Sequence, residues 1–457
     1  MTRPLVMKFG GTSVAGAAAM RRVARIVAKA KAAGGPVVVV VSAMSGVTDV
    51  LLSACRAAGD GDVEDVERRV LDIQERHRAV VDELCGDDRD AVWTDVRRHC
   101  EDVRAVLTSV AVLRELTPRG ADRVAAAGEL MSSRVMTALL HGAGVPVRWI
   151  DPRRAIVTDA NFGAASPLGA TRTAARRELS NATASDEVAI IGGFVGATED
   201  GITTTLGRGG SDYSAAIIGA ALDAREIQIW TDVDGILTAD PRVVPDAQPV
   251  PQLTFEEASE LAYFGAKVLH PSTILPAIER NIPVRVLNTT RPEGHGSVIT
   301  ADAQPDGPPL TAIACKRNVT VVDVTSTRML LAHGFLRRVF EVFERHTTSV
   351  DVVTTSEVSV SMTLDDDRRI EAIERELAEF ASVRVERGMA IVSAVGHNLR
   401  HDPAMAVGVI AALGRLPLRM VSQAASRRNV TVVLNDADVP AAMSRLHTEF
   451  FARAGAA

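Results

Sequence analysis

The chain has 457 residues, 47% of them hydrophobic, and a net charge of −6, enough for two or three domains with full cores and too apolar for a disordered chain. That charge, with no Lys/Arg stripe interleaved with aromatics, argues against a nucleic-acid footprint. No stretch offers the about 20 uninterrupted apolar residues of a membrane span, and the opening MTRPLVMKFGG is too short an apolar run for a signal peptide, so a cytoplasmic protein is expected.

Leu5 to Phe9 reads as a short strand that runs into Gly10-Gly11-Thr12-Ser13, and Ala17 to Ala32 follows at helical spacing. Strand, glycine turn and helix form an anion site, with Lys8 at the strand end within reach of a phosphate held by the Gly10 and Gly11 amides. Pro36 to Val41 is an unbroken β-branched run, which fits a strand buried on both faces of a parallel sheet. It ends in Ser42-Ala43-Met44-Ser45-Gly46-Val47-Thr48, whose hydroxyls suit ligand contact or ordinary capping. Val50 to Leu116 is charged and helical, with Asp62 to Leu84 as one long amphipathic helix whose charges form a solvated face.

Ala121 to Leu140 is a further helix, and there Glu129 sits among apolar neighbours, where a partly buried carboxylate needs a partner such as a substrate ammonium. Strands are expected at Val145 to Ile150 and Val188 to Phe194, with a hairpin turn at Asp200-Gly201. Next comes Leu206-Gly207-Arg208-Gly209-Gly210-Ser211-Asp212, whose glycines let backbone amides approach a ligand. Ser211 or Asp212 is placed to cap the helix Tyr213 to Leu222, and Arg208 adds a fork for a carboxylate or phosphate. The strand Glu226 to Thr231 then delivers Asp232 and Asp234 to the ligand edge of an open α/β sheet. A nucleotide site beside an anion cradle is the economical interpretation.

Thr254 to Phe264 is helical and leads into FGAKVLHP, where Lys267 is a second cation and His270 is more readily structural than catalytic. The strand Pro283 to Asn288 and a turn-rich stretch close the first unit, with Asp306-Gly307-Pro308-Pro309 as a linker. Beyond it lies an internal repeat of two βαββα units. The first spans strand Val319 to Thr325, helix Gly334 to Glu344, two strands and helix Arg368 to Phe380; the second runs from strand Met389 to Val395 to helix Pro440 to Phe450. Such small sheets have edges that pair with neighbours, which favours an oligomer. Cys55, Cys85, Cys100 and Cys315 are scattered without a CxxC pair, so neither a zinc site nor a disulfide framework is indicated.

KFGGTS at Lys8 to Ser13, the GRGGSD turn, Thr231 to Arg242 and FGAKVLHP together closely resemble the aspartate kinases, in order and spacing and over essentially the whole chain. The tail resembles that family's paired ACT domains, and the length fits a monofunctional enzyme without a fused homoserine dehydrogenase. The resemblance implies an α/β amino-acid kinase fold, an open, mostly parallel sheet covered on both faces, over residues 1–300. Two ACT domains would follow at 312–388 and 389–457, their strands able to interleave. It implies transfer of the ATP γ-phosphoryl group to the β-carboxylate of L-aspartate, with Mg2+ accompanying the nucleotide and no protein metal ligand assigned.

Carried over residue by residue, the resemblance makes Lys8, Asp212 and Lys267 catalytic, and Thr48, Glu129, Arg208 and Ser211 substrate-binding. ATP would meet Lys8, Phe9, Gly10, Gly11, Thr231, Asp232, Leu237, Arg242, Lys267 and Val268. The tail resembles the lysine site of lysine-inhibited members at Met329, Ala332, Phe335, Leu336, Ser349, Val350, Asp351, Ser356 and Glu357, implying a lysine or threonine effector and a homodimer or tetramer. Leu331-Ala332 stands where those relatives carry His and Ser, and Leu237 where a Tyr is expected. A feedback-resistant enzyme serving a product such as ectoine, a silent amino-acid sensor and a sibling such as glutamate 5-kinase or acetylglutamate kinase are the alternatives. The intact set Lys8, Arg208, Asp212 and Lys267 weighs against the sensor; the tail and KFGGTS weigh against the siblings.

Overall fold

The computed structural model describes residues 2–265, 271–302, 310–326, 333–397, 399, 403–423 and 427–452. In chain order its strands are β1 Leu5–Phe9, β2 Val37–Val41, β3 Val147–Ile150, β4 Val188–Gly192, β5 Val195–Ala197, β6 Thr203–Thr205, β7 Glu226–Thr231 and β8 Gln252–Thr254. They continue with β9 Val284–Asn288, β10 Ser297–Thr300, β11 Ala312–Thr325, β12 Val353–Thr355, β13 Ser359–Leu364, β14 Ser382–Val395, β15 Leu418–Ser422 and β16 Asn429–Asn435. The described chain divides into two compact units, one of residues up to 236 with 271–302, the other of 237–265 with the residues from 310 onward.

In the first unit the strand order is β3-β4-β2-β1-β7-β9-β10. Every pair from β3 to β9 is parallel, and β10 is antiparallel to β9. Strands β1, β2 and β4 are buried at every position, as continuous apolar runs in a doubly covered sheet should be. Leu5, Met7 and Phe9 share a core with Val37, Val39 and Val41 and the helices beneath. Residues two apart share a sheet face, so Val6 and Lys8 point to the other side. The chain leaves β1 toward β2 on one side and reaches β7 on the other. The carboxyl ends of β1 and β7 therefore flank a topological switch point, where open α/β sheets bind ligands.

Helices Ala17–Ala32 and Val63–Leu84 match their expected spans, the latter capped by Asp62 Oδ1 accepting from the Asp65 amide at 2.9 Å. The expected single helix over 121–140 is two, Pro118–Ala125 and Ala127–Gly142, with Ala126 between them. The hairpin at Asp200-Gly201 forms, pairing Val195 with Thr205 and Ala197 with Thr203. Burial pushes the thiols of Cys55, Cys85 and Cys100 up to about 11, and none is in a disulfide.

The second unit contains a six-stranded antiparallel sheet, β12-β13-β11-β14-β16-β15. The repeat is present, but the expected boundary at 388/389 falls inside one continuous strand. Strands β11 and β14, of 14 residues each, pair along their length, with a register shift near Lys316 to Val319. Val322 and Val324 of β11 enter one apolar cluster with Phe335, Phe343 and Leu377. Ile313 of the same strand enters another, with Val392, Val409, Leu434 and Leu446. The second ACT-like half therefore borrows the start of β11 from across the repeat boundary.

Residues 237–265 do not follow the expected 1–300 domain. Ala239 and Val244 are buried in the same cluster as Ile313 and Leu446, and Thr238 meets His447 at 3.0 Å and accepts from the Ile313 amide at 2.8 Å. Among the described residues no helix is long and apolar enough to cross a membrane.

Phe343 is 2% exposed at the centre of the first half-core. Phe343→Ala should cost about 3–5 kcal/mol, seen as a lower denaturant midpoint for the transition of this unit, with the transition of the first unit unmoved; a shift of the first unit's transition instead would contradict the two-core arrangement.

Candidate active site

Lys8 emerges from a strand that is otherwise apolar and is only 8% exposed. Its Nζ lies 2.6 Å from Asp212 Oδ1, in the first turn of the helix Gly210–Ala221. That helix does not use Ser211 or Asp212 as its cap. Gly209, at φ 71°, occupies the N-cap position without a side-chain hydrogen bond, and the Asp212 carboxylate is taken by the ammonium. Gly193 is required beside it: a Cβ there would stand 2.7 Å from Ser211 Cβ and 2.9 Å from its Cα.

The glycine turn after β1 is partly spoken for. The Gly10 amide donates to the Trp230 carbonyl at 3.1 Å, locking the ends of β1 and β7, and Phe9 stacks on Trp230 at 5.8 Å. The Gly10 amide thus serves to hold the strand ends together. A Cβ at Gly11 would stand 3.2 Å from the Ala43 carbonyl, a tight approach that favours glycine there.

Glu129 opens the helix Ala127–Gly142. Gly128 lets this helix start rest on the loop after β2, where an added Cβ would be 2.8 Å from Ala43 Cβ, and Ser132 Oγ donates to the Ser42 carbonyl at 2.7 Å. The Glu129 carboxyl is buried, and among the described residues its Oε2 has no hydrogen-bond partner. Burial pushes its pKa up to about 8, against the opposing pull of backbone N–H groups at Ala43 and Glu129 and of the Lys8 ammonium.

These groups line one cleft of about 970 Å³ that also includes Gly10, Gly11, Thr48, Arg208, Ser211, Asp212, Thr231 and Asp232. Arg208 is exposed, and Thr231 Oγ1 meets Asp232 Oδ1 at 3.2 Å. Several lining residues escaped the sequence reading, Phe194 and Asp122 among them. Phe194 follows β4 at φ 64°, a rare conformation for a bulky residue, and its amide donates to Ser214 Oγ at 2.9 Å. Asp122 is a buried carboxylate whose only local signal was an acid in a helical stretch.

Other expected residues belong to the second unit or lie outside the described residues. Leu237 and Arg242 belong to the second unit, where Leu237 bridges to Pro249 and Arg242 pairs with Asp240 at 2.6 Å within its own turn. Lys267, Val268, Met329 and Ala332 lie outside the described residues, as do Leu331 and His270. In the second unit Phe335 is buried in the half-core, while Leu336, Ser349, Ser356 and Glu357 are exposed and Val350 is half-buried. Asp351 carries an ammonium already, that of Lys316 at 2.8 Å, and accepts from Tyr263 OH at 3.1 Å.

With this geometry in hand, the comparisons decide the lineage. Residues 3–288 match the amino acid kinase family and residues 392–450 an ACT domain. The chain is 41% identical to aspartokinase 3, chloroplastic, of Arabidopsis thaliana, covering 98% of this chain and 81% of that protein. It is 36% identical to the lysine-sensitive aspartokinase 3 of Escherichia coli, covering 99% and 100%. The chain belongs to the aspartokinase family. The crystal structure of E. coli aspartokinase III with aspartate and ADP superposes with a TM-score of 0.84 at 35% identity, covering 98% of this chain and 99% of that one. The T-state structure of the same enzyme with lysine and aspartate gives 0.83 at 35% identity, with the same coverage. Like the family, this chain is a kinase that phosphorylates aspartate from ATP and carries an ACT regulatory region.

The raised carboxyl at Glu129 yields a signed expectation. Its folded pKa lies above its unfolded value, so its contribution to stability is present at low pH and is lost as pH rises through about 8. Glu129→Gln removes that loss: the ligand-free variant should gain in Tm on the parent between pH 5 and pH 9, while its KM for aspartate rises about ten- to a hundred-fold. A Tm difference constant with pH would show that the Glu129 pKa is not raised in the folded chain.

Proposed function

We propose that the cleft carries out in-line transfer of the ATP γ-phosphoryl group to the aspartate β-carboxylate, with Lys8 and Asp212 at its centre. The 2.6 Å ion pair carries this reading: it keeps a desolvated ammonium fixed where the strand ends meet. The nucleophilic carboxylate has no proton to lose. A new bond forms from a β-carboxylate oxygen to the γ-phosphorus as the bond to the β–γ bridging oxygen breaks, and ADP leaves with that electron pair. No general base is needed. The demand is for cations and amides around crowded anions, which Lys8, the Gly11 amide and Lys267, the last assigned from sequence, would supply.

Glu129 is the proposed partner of the substrate ammonium, supported by its buried, unpartnered Oε2. Arg208 would take the α-carboxylate as a fork, with Thr48 and Ser211 completing that end. Thr231, Asp232 and the Phe9 to Gly11 turn would face the nucleotide, with Leu237, Arg242 and Val268 contributing to that region on the resemblance alone. Mg2+ would arrive on the nucleotide phosphates. Asp212 and Asp232 are carboxylates suited to an ion that keeps phosphate and water ligands; its charge would offset that of the triphosphate.

We further propose feedback through the ACT region. An amino-acid effector would use Phe335, Leu336, Ser349, Val350, Asp351, Ser356 and Glu357, with Met329 and Ala332 from sequence. The ammonium that Asp351 holds supports its suitability for a second one. E. coli aspartokinase III in its T-state is in complex with lysine, which makes lysine the first effector to try, in a cytoplasmic homo-oligomer.

Trapping of acyl phosphate with hydroxylamine tests the whole reading. Lys8→Ala and Asp212→Ala should each lower kcat by about a hundred-fold or more with the folded fraction intact; near-normal turnover in either would remove them from the chemistry. Lysine and threonine, added singly and together, should lower the signal of the parent protein, and indifference to both would point to an enzyme desensitised for another product.

A further inference from the structure

Among the described residues, Asp122 is the one buried carboxylate lining the cleft that phosphoryl transfer leaves unused. It is 3% exposed and projects from the helix Pro118–Ala125. Its Oδ2 accepts from the Gly163 amide at 3.0 Å and the Thr205 amide at 2.9 Å, and its Oδ1 from Thr205 Oγ1 at 2.7 Å. All three donors come from segments far away in sequence. With its oxygens occupied, Asp122 has little left to offer a substrate.

What it holds matters more. Thr205 ends β6, and Arg208 follows three residues later. The same strand end is fixed again by the Ala165 amide donating to the Thr205 carbonyl at 2.9 Å and by the Leu206 amide donating to the Phe194 carbonyl at 2.9 Å. Gly163 itself lies against the turn, since a Cβ on Gly207, at φ 73°, would stand 3.1 Å from the Gly163 carbonyl oxygen. One carboxylate thus ties the Gly163 turn to the strand that launches Gly207-Arg208-Gly209. A buried carboxylate bonded to amide donors is strong and directional, and it fixes a loop more tightly than apolar packing would.

We propose that Asp122 is a positioning residue for aspartate binding, setting the turn that presents Arg208. The proposal rests on the assignment of Arg208 to the substrate carboxylate. Asp122→Asn keeps the volume but removes the carboxylate charge from the two amide bonds, and its N–H2 meets the Thr205 hydroxyl only if that hydroxyl turns from donor to acceptor. It should raise the KM for aspartate about five- to a hundred-fold while the KM for ATP stays within about twofold. Thr205→Val removes only the hydroxyl arm and should move the aspartate KM in the same direction by less, and the double variant should fall short of the sum of the two.

Arg208→Ala is measured alongside. If it leaves the aspartate KM unchanged, the Arg208 assignment fails; if it raises that KM while Asp122→Asn does not, the positioning role alone is overturned. A merely structural Asp122 would lower Tm and raise both KM values alike, which also overturns the proposal. Should Asp122→Asn fail to fold, Thr205→Val decides the question, since an unchanged aspartate KM there refutes the link between Asp122 and the turn.

Discussion

An ammonium inside a parallel sheet is the constraint on which the rest of this structure depends. Lys8 occupies a strand position buried like its neighbours, and a charge there costs far more than any single surface ion pair returns. Asp212 offsets that cost, and it can do so only if the helix Gly210–Ala221 begins close to the end of β1. That placement in turn needs Gly209 in the left-handed region, a bare Gly193 against Ser211 and Phe194 held at φ 64°. Such concessions in one neighbourhood mark a place where the fold gives up local ease to hold a charge in position. A solvated lysine on a loop would have required none of them, and would have spent its field on water.

Much of this was readable because the relevant signals are local. Leu5–Phe9, Ala17–Ala32 and Glu226–Thr231 appear with the bounds that run length and period indicate, and the glycine turns at Gly10-Gly11 and Gly207 to Gly210 announce themselves. Glu129 was also legible, as an acid among alanines and leucine with nothing nearby to neutralise it. What escaped depends on partners distant in sequence. Asp122 resembles any helical acid until Thr205, 83 residues on, donates to it. The Gly10 amide is a plausible anion donor until the Trp230 carbonyl takes it. Residues 237–265 read as a continuation of the nucleotide domain because nothing local reveals that Ala239 and Val244 are buried with Ile313 and Leu446.

The regulatory region illustrates the same limit and suggests why it is built so. A repeat of two βαββα units shows that strands can interleave but not which; β11 and β14 run through both and give each half-core part of the same two strands. Small separate sheets could shift independently; strands shared along 14 residues make one half-core answer to strain in the other. Asp351 stands beside this shared element, bonded to Lys316 of β11 and to Tyr263. An ammonium arriving at Asp351 must compete with one the chain already supplies, so its binding energy would be spent partly on rearranging β11 contacts.

The cleft holds three acids withdrawn from bulk water, and the difference among them is how each is satisfied. Asp212 has a lysine, Asp122 has two amides and a hydroxyl, and Glu129 has one oxygen with no partner. Because the first two are neutralised or bonded in place, they add little repulsion to an incoming dicarboxylate, and the third is left as the group whose state a ligand changes. If Glu129 has the role proposed for it, a substrate with an ammonium would satisfy it as a carboxylate, whereas a dicarboxylate of the same length without one would leave a buried acid unpaired or protonated. Sites that leave a buried polar group unsatisfied reject the analogue far more strongly than apolar pockets reject a missing methylene. In the proposed role, discrimination for an amino acid over a plain dicarboxylate therefore follows from the burial of one carboxyl, with no additional contact required.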